Sequence, residues 1–541
     1  MKLSASGLLD RSGWEQIQVK TPSYNIQEMK KRTAEDPLWV HFGSGNFFRG
    51  FVAPLAHRLL ETGELNRGII TVSTYNHDII HRIYEPYDNL MLRVLLGADG
   101  TLEREVIGSV AEAIPLDQKE PSTGQRCEEI FKNPGLQMVS LTITEKGYAL
   151  EDGAGNLLPL VEEDMEQGPG KSTHVMGILA GLLYQRYLAG ELPLALVSMD
   201  NCAENGTRLG DGIKEMAKAW EEKGLVAGGF LAYLEDESKI ATPWTMVDKI
   251  TPRPDDQVAK ALAQLGIEGM EPIVTSKTTY IAPYVNAERP EYLVIEDKFP
   301  AGRPPLEKVG VYLTDRETVS KTERMKVTTC LNPLHTAMSV YGCLLGYTRI
   351  SQEMKDPEIV SLIRRLGYLE GLPVVVDPGI LSPKAFLDEV VEQRFPNPFM
   401  PDAPQRIATD TSQKVGIRFG ETIKSYQSKG MDVDSLVAVP LALAGWLRYL
   451  LAVDDKGDKM AVSPDPLLDQ LQEKLSGVVW NDPSSYQGQI REILRNAVIF
   501  GSDLTKTSLG DKIEAMFIEL LAGPGAVRAT LQKHLKEGDL T

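Results

Sequence analysis

The sequence predicts an α/β domain built on a largely parallel sheet, followed by a mainly α-helical domain, and three observations predict it. From about residue 37 to 200, short apolar runs alternate with helical patterns, the runs being WVHF at 39–42, GIITVST at 68–74, QMVSLTITEKGY at 137–148 and PLALVSMD at 193–200. Alternation of this kind argues for parallel strands with helices on both faces. After about residue 316 strand signals nearly vanish and long amphipathic helical runs take over, such as LVAVPLALAGWLRYLLAV at 436–453 and KIEAMFIELLAG at 512–523. The 541 residues are also too many for one core. The division is expected between 315 and 316, giving domains 1–315 and 316–541.

The first unit is the most informative. In WVHFGSGNFFRG, residues 39–50, the apolar run reads as a buried strand, and Gly43 and Gly45 can take backbone angles that side chains forbid. Phe47, Phe48, Phe51, Val52, Leu55, Leu59 and Leu60 then recur at helical spacing, with Gly63 as a stop. A helix entered this way points free backbone N–H groups and the positive end of its dipole at the turn, so a pyrophosphate can bind there. The dinucleotide fingerprint would place its third glycine at Phe48, whereas the next glycine is Gly50. Phosphate cradle and ordinary strand-to-helix turn are both open on these residues alone. Further on, NLMLRVLLGADGTLEREVIG at 89–108 reads as an inserted hairpin, and PIVTSKTTYIA and EYLVIED near 272–297 as a later strand-rich part.

Whole-chain properties bound the function. Lys plus Arg number 57 against 75 Asp plus Glu, a formal net charge of -18, which disfavours nucleic acid and anionic membrane as partners and requires local cations for any anionic substrate. Cys127, Cys202, Cys330 and Cys343 are scattered with no CxxC pair, which argues against a disulfide framework or a zinc knuckle and for a reducing cytoplasm. No signal-peptide h-region opens the chain, and no apolar stretch approaches the ~18 residues of a membrane helix.

The segment ETVSKTERMKVTTCLNPLHTAM, 317–338, concentrates Glu323, Lys326, Asn332 and His335 at the start of the helical domain. A lysine buried beside a cofactor can serve as a general base, while Asn and His can hydrogen-bond a developing alkoxide. A surface lysine, a capping asparagine and a core histidine would use the same residue types.

TITEKGY at 142–148, SMDNCAENG at 198–206, MVDKITP at 246–252, VIEDKFPAGRP at 294–304 and the Lys326/Asn332/His335 set occur in this order in the mannitol dehydrogenase family, which this sequence resembles over roughly residues 37–450. The family comprises polyol-specific long-chain dehydrogenases and includes mannitol 2-dehydrogenase, fructuronate reductase and tagaturonate reductase. The resemblance implies a Rossmann-like dinucleotide-binding domain, then a helical substrate and catalytic domain, and zinc-independent hydride transfer with no metal. It implies cofactor contacts at Gly43, Gly45, Asn46, Phe47 and Arg49, and at Thr144 and Glu145 of TITEKGY. Lys326 would exchange the alcohol proton, Asn201, Asn332 and His335 would hold the alcohol or alkoxide oxygen, and Glu323 would relay protons to solvent. Arg406 and Lys414 of QRIATDTSQK match a pair of cationic substrate contacts, and Asp248 an active-site aspartate. Eight residues on a helix is an offset of about 80°, which would put both cations on one face.

NAD is the expected cofactor, because no arginine cluster follows the second strand, although that strand offers no acid before Asp78. The leading expectation is reduction of D-fructuronate to D-mannonate, with an extra cation near Arg406, Lys414 or Arg418 favouring the uronate. Mannitol 2-dehydrogenase and tagaturonate reductase activities are the alternatives, and a catalytically silent sugar or nucleotide sensor is the alternative of a different class.

One departure carries a structural prediction. The family places four residues between its lysine and asparagine, whereas Lys326 and Asn332 enclose five. At ~100° per residue a regular helix would put His335 about 180° and Asn332 about 240° from Lys326. Something must absorb one residue, and Pro333 lacks an N–H and crowds the carbonyl of Thr329, so a π-bulge or equivalent kink is predicted between Lys326 and Pro333.

Overall fold

The computed structural model describes residues 1–117 and 120–535, and these divide into two units, 1–97 with 101–117 and 120–319, and 98–100 with 320–535. The first is organised by six parallel strands: β1 (Trp39–Phe42), β2 (Ile69–Ser73), β3 (Val110–Pro115), β4 (Met138–Leu141), β5 (Leu194–Ser198) and β6 (Ile240–Ala241). Their spatial order is β3-β2-β1-β4-β5-β6, the doubly wound order in which the chain reverses direction across the sheet between β1 and β4.

The strands are mostly apolar because the sheet is covered on both faces. Val40, Phe42, Ile70, Val72, Val139, Leu141 and Leu196 join one core cluster with residues of the helices Pro121–Lys132, Val175–Leu188 and Asn205–Glu222. Trp39, Ile69, Met138, Ala195 and Val197 alternate into a second cluster with Phe51, Leu55 and Leu59 from the helix after β1.

The expected hairpin is present, with Met91–Leu96 antiparallel to Leu102–Ile107. Its outer pairing was not legible in the sequence: Tyr284–Glu288 lies parallel to Met91–Leu96, and Val19–Lys20 is parallel to Leu102–Ile107. A separate three-stranded sheet joins Thr245–Asp248, Tyr292–Glu296 and Tyr312–Thr314.

The second unit is helical, with no named strand among its described residues. The run at 436–453 forms the helix Ala438–Tyr449, and here the structure corrects the expected amphipathicity. Every residue of that helix is buried, as its apolar composition all round requires. Its polar ends are met from afar. Glu370 accepts the backbone N–H groups of Val437 (2.7 Å), Ala438 (2.7 Å) and Val439 (2.9 Å), a carboxylate at the positive end of the helix dipole. Near the C-terminus Arg448, fully buried, donates to the carbonyls of Leu520 (3.1 Å), Val453 (2.6 Å) and Asp454 (3.1 Å), tying the helix to Ser508–Leu520. Against it packs Asn332–Leu345, whose Tyr341 hydroxyl donates to Leu441 O at 2.7 Å. No helix among the described residues is long and apolar enough to cross a membrane.

Candidate active site

In an open parallel sheet, ligands bind beyond the carboxyl ends of the strands where the order reverses, here at β1 and β4. Gly43 leaves β1 with φ +122°, and a Cβ on it would stand 2.5 Å from Thr142 Oγ1 and 2.6 Å from Thr142 O, so only glycine lets the two strand ends close together. Ser44 braces the turn: its hydroxyl meets Thr71 Oγ1 at 2.9 Å, and its carbonyl accepts from the Tyr84 hydroxyl at 3.0 Å. Gly45 corrects the expectation that both glycines serve backbone angle. Its φ is not positive, and a Cβ there would meet nothing within 4 Å, so its contribution is open space beside the turn.

The helix begins at Asn46 and Phe47, whose early N–H groups have no intrahelical acceptor. Open space at Gly45 and a helix N-terminus behind it fit a pyrophosphate. Phe47 packs edge-on against Phe51, ring centroids 5.5 Å apart.

The helix then loosens into a π-helical turn, Phe48–Val52, which the sequence reading did not anticipate. Gly50 lies in that turn, and a Cβ on it would come within 2.7 Å of Thr251 and 3.3 Å of Val285. The late glycine therefore serves the close helix–strand packing that the third glycine of the fingerprint usually serves. Arg49 is fully buried, and one guanidinium nitrogen donates to Pro283 O at 2.8 Å. The side chain thereby pins the turn to the segment entering the strand Tyr284–Glu288. Burial lowers its pKa to about 10.

The loop after β4 carries Thr144 and Glu145, both exposed, with Glu145 paired to Arg208 at 2.9 Å. Thr144 holds φ 65°, ψ 160°, a conformation rare for a β-branched residue. Asp200, at the end of β5, stabilises it. The carboxylate accepts the N–H of Ile143 (2.9 Å) and of Thr144 (3.0 Å) and the hydroxyl of Tyr148 (2.6 Å). Burial pushes the Asp200 carboxyl up, opposed by those three donors.

Asn201 follows directly, exposed at the start of the loop. Asn205 ties that loop to the strand Thr245–Asp248, accepting from Thr245 N at 3.0 Å and donating to Asp200 O at 3.0 Å. Asp248 ends that strand and is buried. Asp200, Tyr148 and Asn205 were missed in the sequence, although SMDNCAENG and TITEKGY contain all three. Beyond β2 the chain shows Thr74 and an exposed Tyr75, while Asp78 accepts the N–H of Ser276 at 2.7 Å.

In the second unit the predicted irregularity is present. Lys326–Cys330 is a π-helical turn, closed by an i to i+5 bond from Leu331 N to Lys326 O at 3.1 Å. Leu331 leaves helical geometry at φ -130°, ψ -64°, and a new helix starts at Asn332 with Pro333 in its first turn. The i to i+5 register absorbs the extra residue. Lys326 is buried at 2 % exposure. Glu323, partly buried, lies one turn earlier on the helix Arg316–Met325, at the i, i+3 spacing that shares a face.

His335 packs against Phe395, ring centroids 5.2 Å apart. Its Nε2 is buried without a hydrogen-bond partner and lies 4.0 Å from Asp402 Oδ2. Burial lowers its pKa to about 4; Asp402 opposes this, and Arg418, Arg406 and Arg394 reinforce it. The imidazole is therefore neutral at pH 7, one nitrogen carrying a proton and the other a lone pair.

Arg406 and Lys414 do not share a helix, contrary to the 80° estimate. Arg406 sits on the four-residue helix Pro404–Ile407; Asp410, at φ 53°, breaks the chain before the 3-10 turn Thr411–Gln413, and Lys414 follows. Arg406 pairs with Asp402, and Lys414 donates to Thr409 O. The two remain electrostatic neighbours, since Arg418 and Arg406 both help lower the Lys414 pKa, after burial.

Known proteins share the domain pattern of this chain. Residues 38–308 match the mannitol dehydrogenase Rossmann domain and 318–520 the mannitol dehydrogenase C-terminal domain. The chain is 50% identical over 536 residues to a D-mannonate oxidoreductase of Thermotoga maritima, covering 98% of this chain and 99% of that protein. It is 29% identical to a D-mannonate oxidoreductase of Escherichia coli, covering 91% and 93% of the two. Among solved structures, Pseudomonas fluorescens mannitol 2-dehydrogenase, a ternary complex with NAD and D-mannitol, is similar with a TM-score of 0.69 and 27% identity, covering 99% of this chain and 100% of that one. The ordered strand topology, the glycine turn and the Lys326–His335 segment thus stand in a chain that belongs to the mannitol dehydrogenase family.

Proposed function

We propose that this protein is an NAD-dependent oxidoreductase that interconverts a ketone and a secondary alcohol of a sugar acid, with D-fructuronate and D-mannonate as the pair. The similarity to proteins named D-mannonate oxidoreductase supports the substrate, and the buried, partnerless Nε2 of the neutral His335 carries the reading. A buried imidazole nitrogen without a partner is costly unless a ligand oxygen completes it.

The pyrophosphate of the dinucleotide is held at Gly43–Phe47, with Thr144 and Glu145 as further contacts. When bound, the dinucleotide would give a hydride to the carbonyl carbon as NADH, or take one from the alcohol carbon as NAD+. Lys326 gives the proton to the new alkoxide oxygen in reduction, and removes it in oxidation. Asn332 and His335 donate hydrogen bonds to that oxygen as its charge grows, and the family resemblance assigns Asn201 a further amide donor. Glu323 returns protons to Lys326 from solvent. Arg406, Lys414 and Asp248 are assigned to the substrate's hydroxyl groups. We place the protein in a reducing cytoplasm, in keeping with four free cysteines, three of them buried.

Initial rates of NADH oxidation with fructuronate, tagaturonate and fructose test the reading. The expected order puts fructuronate first by kcat/KM. A preference for fructose would make the protein a mannitol 2-dehydrogenase, and NADH binding with no turnover of any of the three would make it a sensor.

A further inference from the structure

The cations electrostatically coupled to His335 are not equivalent. Arg406 has a side chain 65 % exposed and is paired with Asp402. Arg394 is buried at the end of the π-helical turn Val390–Arg394. Arg418 lies in the middle of another π-helical turn, Gly416–Gly420, partly buried, and donates one N–H to the Thr336 hydroxyl. Thr336 is held in turn, its own hydroxyl donating to Asn332 O at 2.9 Å, so the guanidinium is anchored to the first turn of the helix that bears Asn332 and His335. No other partner of Arg418 exists among the described residues. Burial alone lowers its pKa to about 10, with no carboxylate opposing the shift.

A guanidinium withdrawn from water without a counter-charge is unfavourable until an anion joins it. Five N–H donors in a planar fork match a carboxylate bidentately, and one donor is engaged by Thr336. In a chain of net charge -18, an arginine left without an acidic partner and hydrogen-bonded to Thr336, the residue that follows His335, is an arrangement directed at an anionic ligand.

Resting on the oxidoreductase reading above, we propose that Arg418 receives the terminal carboxylate of the substrate and is the residue by which this protein distinguishes a keto-sugar acid from a neutral ketose. Arg406 and Lys414 then contribute long-range attraction and hydroxyl contacts, and Arg418 contributes the discrimination.

The test compares Arg418→Gln and Arg418→Lys with the wild type, reading kcat/KM for fructuronate and for fructose, and NADH affinity by fluorescence. Arg418→Gln is expected to lower the fructuronate-to-fructose ratio of kcat/KM by about 10- to 100-fold, mostly through KM for the acid, as expected for loss of hydrogen bonds to a charged group. Arg418→Lys keeps the charge without the fork and is expected to fall between, which preserves the test if the Gln variant does not fold.

Equal losses on both substrates, or no loss on the acid, would overturn the assignment. If the wild type binds NADH but reduces neither sugar, the oxidoreductase reading fails by itself. Arg418 is then judged by thermal shift: stabilisation by mannonate, absent with mannitol and abolished in Arg418→Gln, supports it, and a shift that survives the substitution overturns it.

Discussion

Asp200 Oδ1 accepts the backbone N–H of Thr144 at 3.0 Å, joining the end of β5 to a residue held at positive φ beyond β4. Such a conformation costs of order 1–3 kcal/mol and persists only where its surroundings hold it. Asparagine at 200 has a single acceptor oxygen and would turn its amide N–H groups toward donors. Asp200→Asn is therefore expected to weaken NADH binding and to speed amide exchange across residues 143–148. Unchanged exchange with unchanged NADH affinity would show that the carboxylate does not hold the loop.

The two glycines after β1 are expected to respond differently. Gly43→Ala forces a Cβ to within 2.5 Å of Thr142 Oγ1 at φ +122°, so both Tm and NADH affinity should fall. Gly45→Ala adds a methyl into open space at an ordinary φ, leaving Tm near the wild-type value while weakening NADH. A wild-type Tm for Gly43→Ala is the result that counts against this account of the turn.

Lys326→Ala is expected to lower turnover by at least ~10²-fold, the low end for losing a positioned acid/base, while NADH binding remains. A matching loss of NADH binding would make Lys326 a structural residue of the π-helical turn rather than the proton donor.

Glu353 is fully buried, and both its carboxylate oxygens lack partners. Burial, and then the charge of Asp356, raises its pKa well above 4.5, so the folded chain keeps a proton that the unfolded chain has released. Since the folded state binds more protons above pH 4.5, stability falls as pH rises from there. Glu353→Gln removes that dependence. Its Tm advantage over the wild type should grow between pH 5 and pH 8, and an advantage independent of pH would mean that Glu353 is ionised in the folded protein.

What the sequence determined by itself is local. Short apolar runs alternating with helical patterns set the parallel strands, NLMLRVLLGADGTLEREVIG set the hairpin, and the five-residue gap between Lys326 and Asn332, with Pro333 following, required a break in the helix that the structure supplies as the turn Lys326–Cys330. Each of these follows from the geometry of neighbouring residues, which a short window of chain contains.

Tertiary structure decided everything that depends on a distant partner. The pairing of Tyr284–Glu288 with Met91–Leu96, the capture of the Arg49 guanidinium by Pro283, and the complete burial of Ala438–Tyr449 involve groups far apart in sequence. The same holds for the cations. Arg406, Lys414 and Arg418 look alike in the sequence, and only folding gives Arg406 its Asp402, gives Lys414 a backbone carbonyl, and leaves Arg418 without an acidic partner, because ion pairing and desolvation depend on which groups packing brings within a few ångströms.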